Sequence, residues 1–140
     1  MNPATRKWVI QFPPGTPLLT ANARLHWAAR NERTQALRDA AATLARAQRI
    51  PELAAADIVV EYEPPPSRKA SRHPVHSQRV TDSDALWPTQ KAALDGLTDA
   101  GVFSDDRRER VRRVTCAVCR QTHPQGLLRV LITEIGEEKR

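Results

Sequence analysis

Between Val80 and Val111 the chain reads VTDSDALWPTQKAALDGLTDAGVFSDDRRERV, a stretch that admits one regular element, a helix with carboxylates at both ends. Pro88 falls in its first turn, where a missing N–H costs little, and Gly101 is a natural stop. The expected span is Ala85 to Ala100, capped by Asp84 or its neighbour, with Leu86, Ala93, Leu97 and Ala100 on the apolar face and Leu94 widening it. Asp82 and Asp84 stand before it, Lys91 within it, and Asp105 and Asp106 after it. Carboxylates at i and i+2 of extended chain project to one side, so Asp82 and Asp84 suit a shared hard cation such as Mg²⁺, with Mn²⁺ as a substitute. The same residues also suit plainer duties. Aspartates before a helix are common caps, and those after it are common turn formers. Lys91 has Asp95 at i+4 as the partner for an exposed ion pair.

The remaining chain supplies short strands and one more helix. Strands are expected at 7–12 (KWVIQF), 57–62 (DIVVEY), 111–118 and 127–132 (LLRVLI), and a long helix from about Asn22 to Arg49, stopped by Pro51. The link RQTHPQG between the last two strands suits a hairpin turn. Residues 64–80, PPPSRKASRHPVHSQRV, read as a flexible basic loop. The order β-α-β-loop-α-β-β predicts one α+β domain over residues 1–140, two helices packed on a small mixed sheet.

Charge bears on the partner. Lys and Arg number 22 against 16 Asp and Glu, and eighteen of the 22 are arginine, whose fork matches phosphate. A GC-rich genome choosing Arg codons would give the same bias. Arg24, Trp27 and Arg30 on the first helix could contact phosphates and stack on an unpaired base, or Trp27 could be a core residue. Arg68, Lys69, Arg72 and Arg79 line the basic loop beside Asp82, and Arg107 and Arg108 follow Asp106. No apolar run approaches the ~20 residues needed to span a bilayer. The N-terminus has no signal-peptide pattern, so a cytoplasmic protein is expected. Cys116 and Cys119 form a C-x-x-C, but on a strand they face opposite ways, and ordinary reduced thiols are expected.

The aspartates, a short gap, Pro88-Thr89-x-Lys91-Ala92-Ala93-x-Asp95-Gly96-Leu97, then Asp99-Ala100-Gly101 and Asp105-Asp106 together resemble the RusA-type Holliday junction endonucleases, particularly their phage-borne members. The resemblance is clear over residues 80 to 111 and weaker elsewhere. It implies a Mg²⁺-dependent endonuclease for four-way junctions and other branched double-stranded DNA. Asp82, Asp84 and Asp106 would hold the metal with Asp105 as their neighbour, and Lys91 would contribute to catalysis or DNA contact. The chain departs from the family pattern at Ala85, where asparagine is common, and at Thr81, where several relatives carry a basic residue. Trp87, Pro88 and Thr89 look like an insertion relative to the compact bacterial form. Ala85 keeps a second reading open, a non-cleaving DNA-binding protein of the same fold. In a third, the aspartates are merely caps.

The expected helix also predicts a homodimer. Sixteen residues at ~1.5 Å each hold its ends roughly 24 Å apart. Five steps from Gly101 to Asp106 reach at most about 18 Å. Asp106 therefore cannot easily return to its own Asp82 and Asp84, whereas an antiparallel twofold mate would bring the two acidic ends together.

Overall fold

The computed structural model describes residues 5–20, 25–66, 83–104 and 110–136. Within them lie strand β1 (Lys7–Gln11), helix α1 (Trp27–Ala47), strand β2 (Ala56–Glu63), helix α2 (Trp87–Asp99), and strands β3 (Val111–Val118) and β4 (Leu127–Glu134). A single turn of tighter 3₁₀ helix, Ser83–Leu86, leads into α2. The class is α+β, two helices against a four-stranded mixed sheet, with elements in the expected order.

Burial along β2 alternates strictly, because one face of the sheet is covered and the other is not. On the covered face Trp8, Ile132, Ile58 and Val114 form one cross-strand row. Ile10, Val130, Val60 and Cys116 form the next. Both rows pack in one core with Leu37, Ala41 and Ala45 of α1 and Ala92, Ala93 and Leu97 of α2.

The strand order is β1-β4-β2-β3, and this corrects the expected hairpin. β3 and β4 are not neighbours, since β2 lies between them, parallel to β3 and antiparallel to β4. The 119–126 link passes over the end of β2, where Cys119 N–H donates to the Tyr62 carbonyl (2.8 Å) and His123 N–H to that of Pro64 (3.0 Å). The placement suits the residues. β4 carries Leu127, Leu128, Val130 and Ile132 buried and takes an interior position, while β3 exposes Arg112 and Arg113 and suits an edge. The link turns at Gly126, whose φ is +80° and where a β-carbon would fall 2.2 Å from the Tyr62 hydroxyl.

β1 is antiparallel to β4, and β4 to β2, so β1, β2 and β3 all run the same way. Each helix returns the chain between two of these strands, and α1 and α2 therefore run parallel to each other. Their contact is tightest at Gly96. A β-carbon there would lie 2.2 Å from the Arg38 carbonyl oxygen and 2.8 Å from the Ala41 β-carbon. At the end of α2, Asp99 receives a fork from Arg38 (Nε–Oδ2 2.5 Å, Nη2–Oδ1 2.7 Å), and Arg46 donates to the Asp99 carbonyl (3.0 Å). The Arg38 hydrogen bonds hold the Asp99 carboxyl below the ordinary carboxylate range.

Both helices start later than expected. α1 begins at Trp27 behind His26, whose Nδ1 accepts the Ala28 N–H (3.3 Å), and Leu25 is already non-helical. α2 has thirteen residues rather than sixteen. The reason is Pro88. An α-helix closes N–H of residue i onto the carbonyl of i−4, so Pro88 leaves the Asp84 carbonyl without a helical donor. The ladder cannot run through position 84, and the approach is a 3₁₀ turn instead. The buried face also includes Thr89, Ala92 and Gly96, which apolar periodicity did not single out.

Two outcomes follow. Gly96→Ala should lose about 1–3 kcal/mol by overpacking against backbone, outweighing the roughly 1 kcal/mol that alanine gains in helix propensity, and urea denaturation will measure it. Unchanged or higher stability would refute the close approach. Because the Asp99 pKa is lower in the folded state, the Arg38–Asp99 contribution is present above about pH 4 and fades as pH falls further. Asp99→Asn should flatten that acid limb in melts recorded from pH 6 to pH 2.

Candidate nucleic-acid and metal site

The common direction of β1, β2 and β3 places the starts of both helices at the carboxyl ends of these strands. Ligands commonly bind at that end of open α/β sheets. Three contacts fix it here. Thr89, the one buried polar residue among those described, accepts the Leu19 N–H at Oγ1 (2.9 Å) and donates to the Leu19 carbonyl (2.6 Å). Arg33 Nη1 donates to the Leu18 carbonyl (3.3 Å), which ties α1 to the same loop. Gln90 Oε1 lies 3.9 Å from Cys116 Sγ, holding α2 over β3.

Asp84 sits in the 3₁₀ turn, exposed, over the same part of β3. Burial pushes the Cys116 thiol pKa up, and the nearby Asp84 carboxylate pushes it further. The expected capping role is corrected. The α2 N-cap is Leu86, which makes no side-chain cap bond. Ala85, next to Asp84, is 8% exposed and packs in the core, so a side chain at that position points inward rather than towards a ligand.

Lys91 is exposed and makes no ion pair among the described residues, so the suggested Lys91–Asp95 pair is not formed. Asp95 instead acts on Arg38, whose guanidinium its charge helps to keep protonated after the larger effect of Asp99. Lys91 lies in α2 and Asp84 in the 3₁₀ turn before it, so the two do not share one continuous α-helix. Trp27 is 70% exposed, which removes the core reading for that residue. Arg30 is half-buried beside it, and Arg33 is committed to Leu18. A cavity of about 370 Å³ lies along α1, lined by Thr16, Pro17, Ala29, Glu32 and Arg33 among others.

Many expected site residues lie outside the described residues: Asp82, Asp105 and Asp106, Arg24, the loop cations Arg68, Lys69, Arg72 and Arg79, and Arg107 and Arg108. Among the described residues no three His, Cys, Asp or Glu side chains stand together as a metal group, and Asp84 is the one expected ligand present. Its exposed carboxylate is of the donor type that hard cations take. Cys116 and Cys119 are free thiols on opposite faces, one towards Gln90 and the other towards Glu61. No helix of the described residues is long and apolar enough to cross a membrane.

Two residues of this end were missed in sequence. Thr89 stands in the sequence only within the family-like motif and the apparent insertion, because a threonine in a helix carries no periodic signal of burial. Trp87, 55% exposed at the first position of α2, was noticed only as part of an apparent insertion.

Thr89→Val should destabilise the fold by about 1–3 kcal/mol or more, since it strands both polar groups of a nearly buried Leu19. Thr89→Ser should recover most of the loss. Equal stability of the valine variant in thermal melts would show that the two bonds do not anchor α2. Compared with known proteins, the chain matches no family model and no curated protein sequence.

Proposed function

We propose that this chain is a Mg²⁺-dependent endonuclease of branched DNA, as its resemblance to the RusA-type resolvases implies. One observation carries most weight among the described residues. Asp84 does not cap α2, and Lys91 does not pair with Asp95, so the plain duties that the sequence allowed for both are not performed. A carboxylate and an ammonium left exposed at the carboxyl ends of three strands suit phosphodiester chemistry.

Asp82, Asp84 and Asp106 would hold the metal, with Asp105 as the neighbouring carboxylate. Bound there, Mg²⁺ would supply Lewis acidity and a more acidic water. Lys91 would offset charge on the scissile phosphate. Arg24, Arg30, Arg68, Lys69, Arg72, Arg79, Arg107 and Arg108 would dock duplex arms, with affinity falling as salt rises.

The sites would be shared across a twofold dimer. α2 spans roughly 20 Å at ~1.5 Å per residue, shorter than first expected, but its two ends still lie at opposite ends of the sheet. Asp84 lies by Cys116, whereas the residues after α2 turn back towards the start of β2, with the Val102 carbonyl accepting the Leu53 N–H. Arg110 likewise meets Ala56 there, its carbonyl accepting the Ala56 N–H. A symmetric partner would unite the two ends and make the paired cuts that a four-way junction requires. The alternative is a DNA-binding accessory protein that does not cleave.

The test is cleavage of a labelled four-way junction with and without Mg²⁺. Asp82→Asn and Asp106→Asn should each abolish cutting while leaving junction binding intact or tighter, because each removes a negative charge near phosphate. Lys91→Ala should slow turnover strongly with folding preserved. Mixing the two aspartate variants should restore single-strand nicking at about half activity, since one site of the heterodimer is then intact. Nicking by either variant alone would count against the metal assignment. A mixture that stays inactive despite proven subunit exchange would place each site within one chain. A wild type that binds junctions without cutting them in Mg²⁺ would favour the accessory protein.

A further inference from the structure

The three tryptophans are treated very differently by the fold. Trp8 packs against the core, and the Arg6 guanidinium sits 5.3 Å from its ring centroid. Trp27 and Trp87 remain 70% and 55% exposed. Each is the first residue of its helix, behind the caps His26 and Leu86. The helices are parallel, so both rings stand at the end of the molecule that carries Asp84. Side chains in a helix lean towards its N-terminus, which tips both rings outward over that end.

A cation follows each ring by one helical turn. Lys91 is at i+4 from Trp87, and Arg30 at i+3 from Trp27, spacings that bring side chains together on one face. Neither cation makes an ion pair among the described residues, and neither is placed over its tryptophan, although Arg6 is so placed over Trp8. The His26 ring touches Trp27 at a tilted 36° with centroids 5.7 Å apart.

An exposed indole with an unpaired cation one turn away presents complementary groups to a nucleotide, a π-face for the base and a charge for its phosphate. Fully paired duplex offers no free base face, whereas a strand unpaired at a branch does. Stacking is tolerant of sequence because every base has a π-face. In a chain whose formal charge is +6, cations beside both indoles suit a polyanion better than a neutral apolar partner.

We propose that Trp27 with Arg30 and Trp87 with Lys91 form two stacking platforms for unpaired nucleotides. They hold opened single strands at the end of the molecule where Asp84 lies. This deepens the branched-DNA reading by naming unpaired bases, not only duplex arms, as the recognised chemistry.

The experiment is fluorescence anisotropy of the full chain in EDTA with three labelled probes: a fifteen-nucleotide pyrimidine single strand, a blunt duplex and a four-way junction. Trp87→Ala and Trp27→Ala should each weaken single-strand binding by about five-fold or more, and the double variant further. Duplex binding should change less than two-fold, and Trp87→Phe should keep most of the affinity. The tryptophan variants should leave the salt dependence unchanged, whereas Lys91→Ala should lower its slope by about one. Wild-type single-strand affinity in Trp87→Ala would overturn the proposal, as would equal losses on single strand and duplex. Dissociation of an assembly on Trp87→Ala, seen by sedimentation, with binding lost in step, would mark the ring as a protein contact and overturn it too. No cleavage is involved, so a protein that never cuts can still show the platforms. Absence of the platforms leaves the aspartate tests of cleavage standing.

Discussion

Helices α1 and α2 meet backbone to backbone at Gly96, and much of the arrangement depends on that contact. With few aromatics, the chain builds its helix contact from small residues, Ala41 and Ala42 on one side, Ala92, Ala93 and Gly96 on the other. Small side chains allow backbones to meet, and the β-carbon missing at Gly96 leaves room for the Arg38 carbonyl. The contact sets the two parallel helices side by side over one sheet face. The fork from Arg38, midway along α1, and the hydrogen bond from Arg46 in its last turn then hold Asp99 at the end of α2.

At the opposite end of the helices, Thr89 does the corresponding task with two hydrogen bonds instead of van der Waals contact. It joins α2 to the loop before α1, and Arg33 joins α1 to the same loop. Asp84, Lys91, Trp27 and Trp87 thus occupy one end of a frame held at both ends. Pro88 shapes that frame as well. By denying a helical donor to the Asp84 carbonyl, it keeps the α-helix from reaching back to position 84, and Asp84 stays in the 3₁₀ turn near Cys116 rather than capping α2.

The outer face of the sheet has a different character. Val9, Leu131, Val59 and Thr115 form a cross-strand row there, flanked by Arg129 between Glu61 and Glu63. Arg129 lies 2.5 Å from Glu63 and 3.6 Å from Glu61, so its charge is matched within the sheet, unlike that of Lys91. The contrast separates cations with a structural partner from those without one.

By itself the sequence determined the α+β class and the order of the elements. Apolar alternation and the Pro and Gly stops are local signals, and local signals survive into the fold. It also marked Val111 to Val118 as a strand and set Cys116 and Cys119, three positions apart, on opposite faces, since a period of two needs no tertiary information. Tertiary structure alone decided that β4 runs between β1 and β2, because a hairpin and a crossing link share the same turn residues and differ only in which strand is buried on its edges. It likewise decided that Lys91 stands free of Asp95 while Asp99 pairs with Arg38, sixty-one residues away in sequence, because an ion pair follows distance in space and not spacing along the chain.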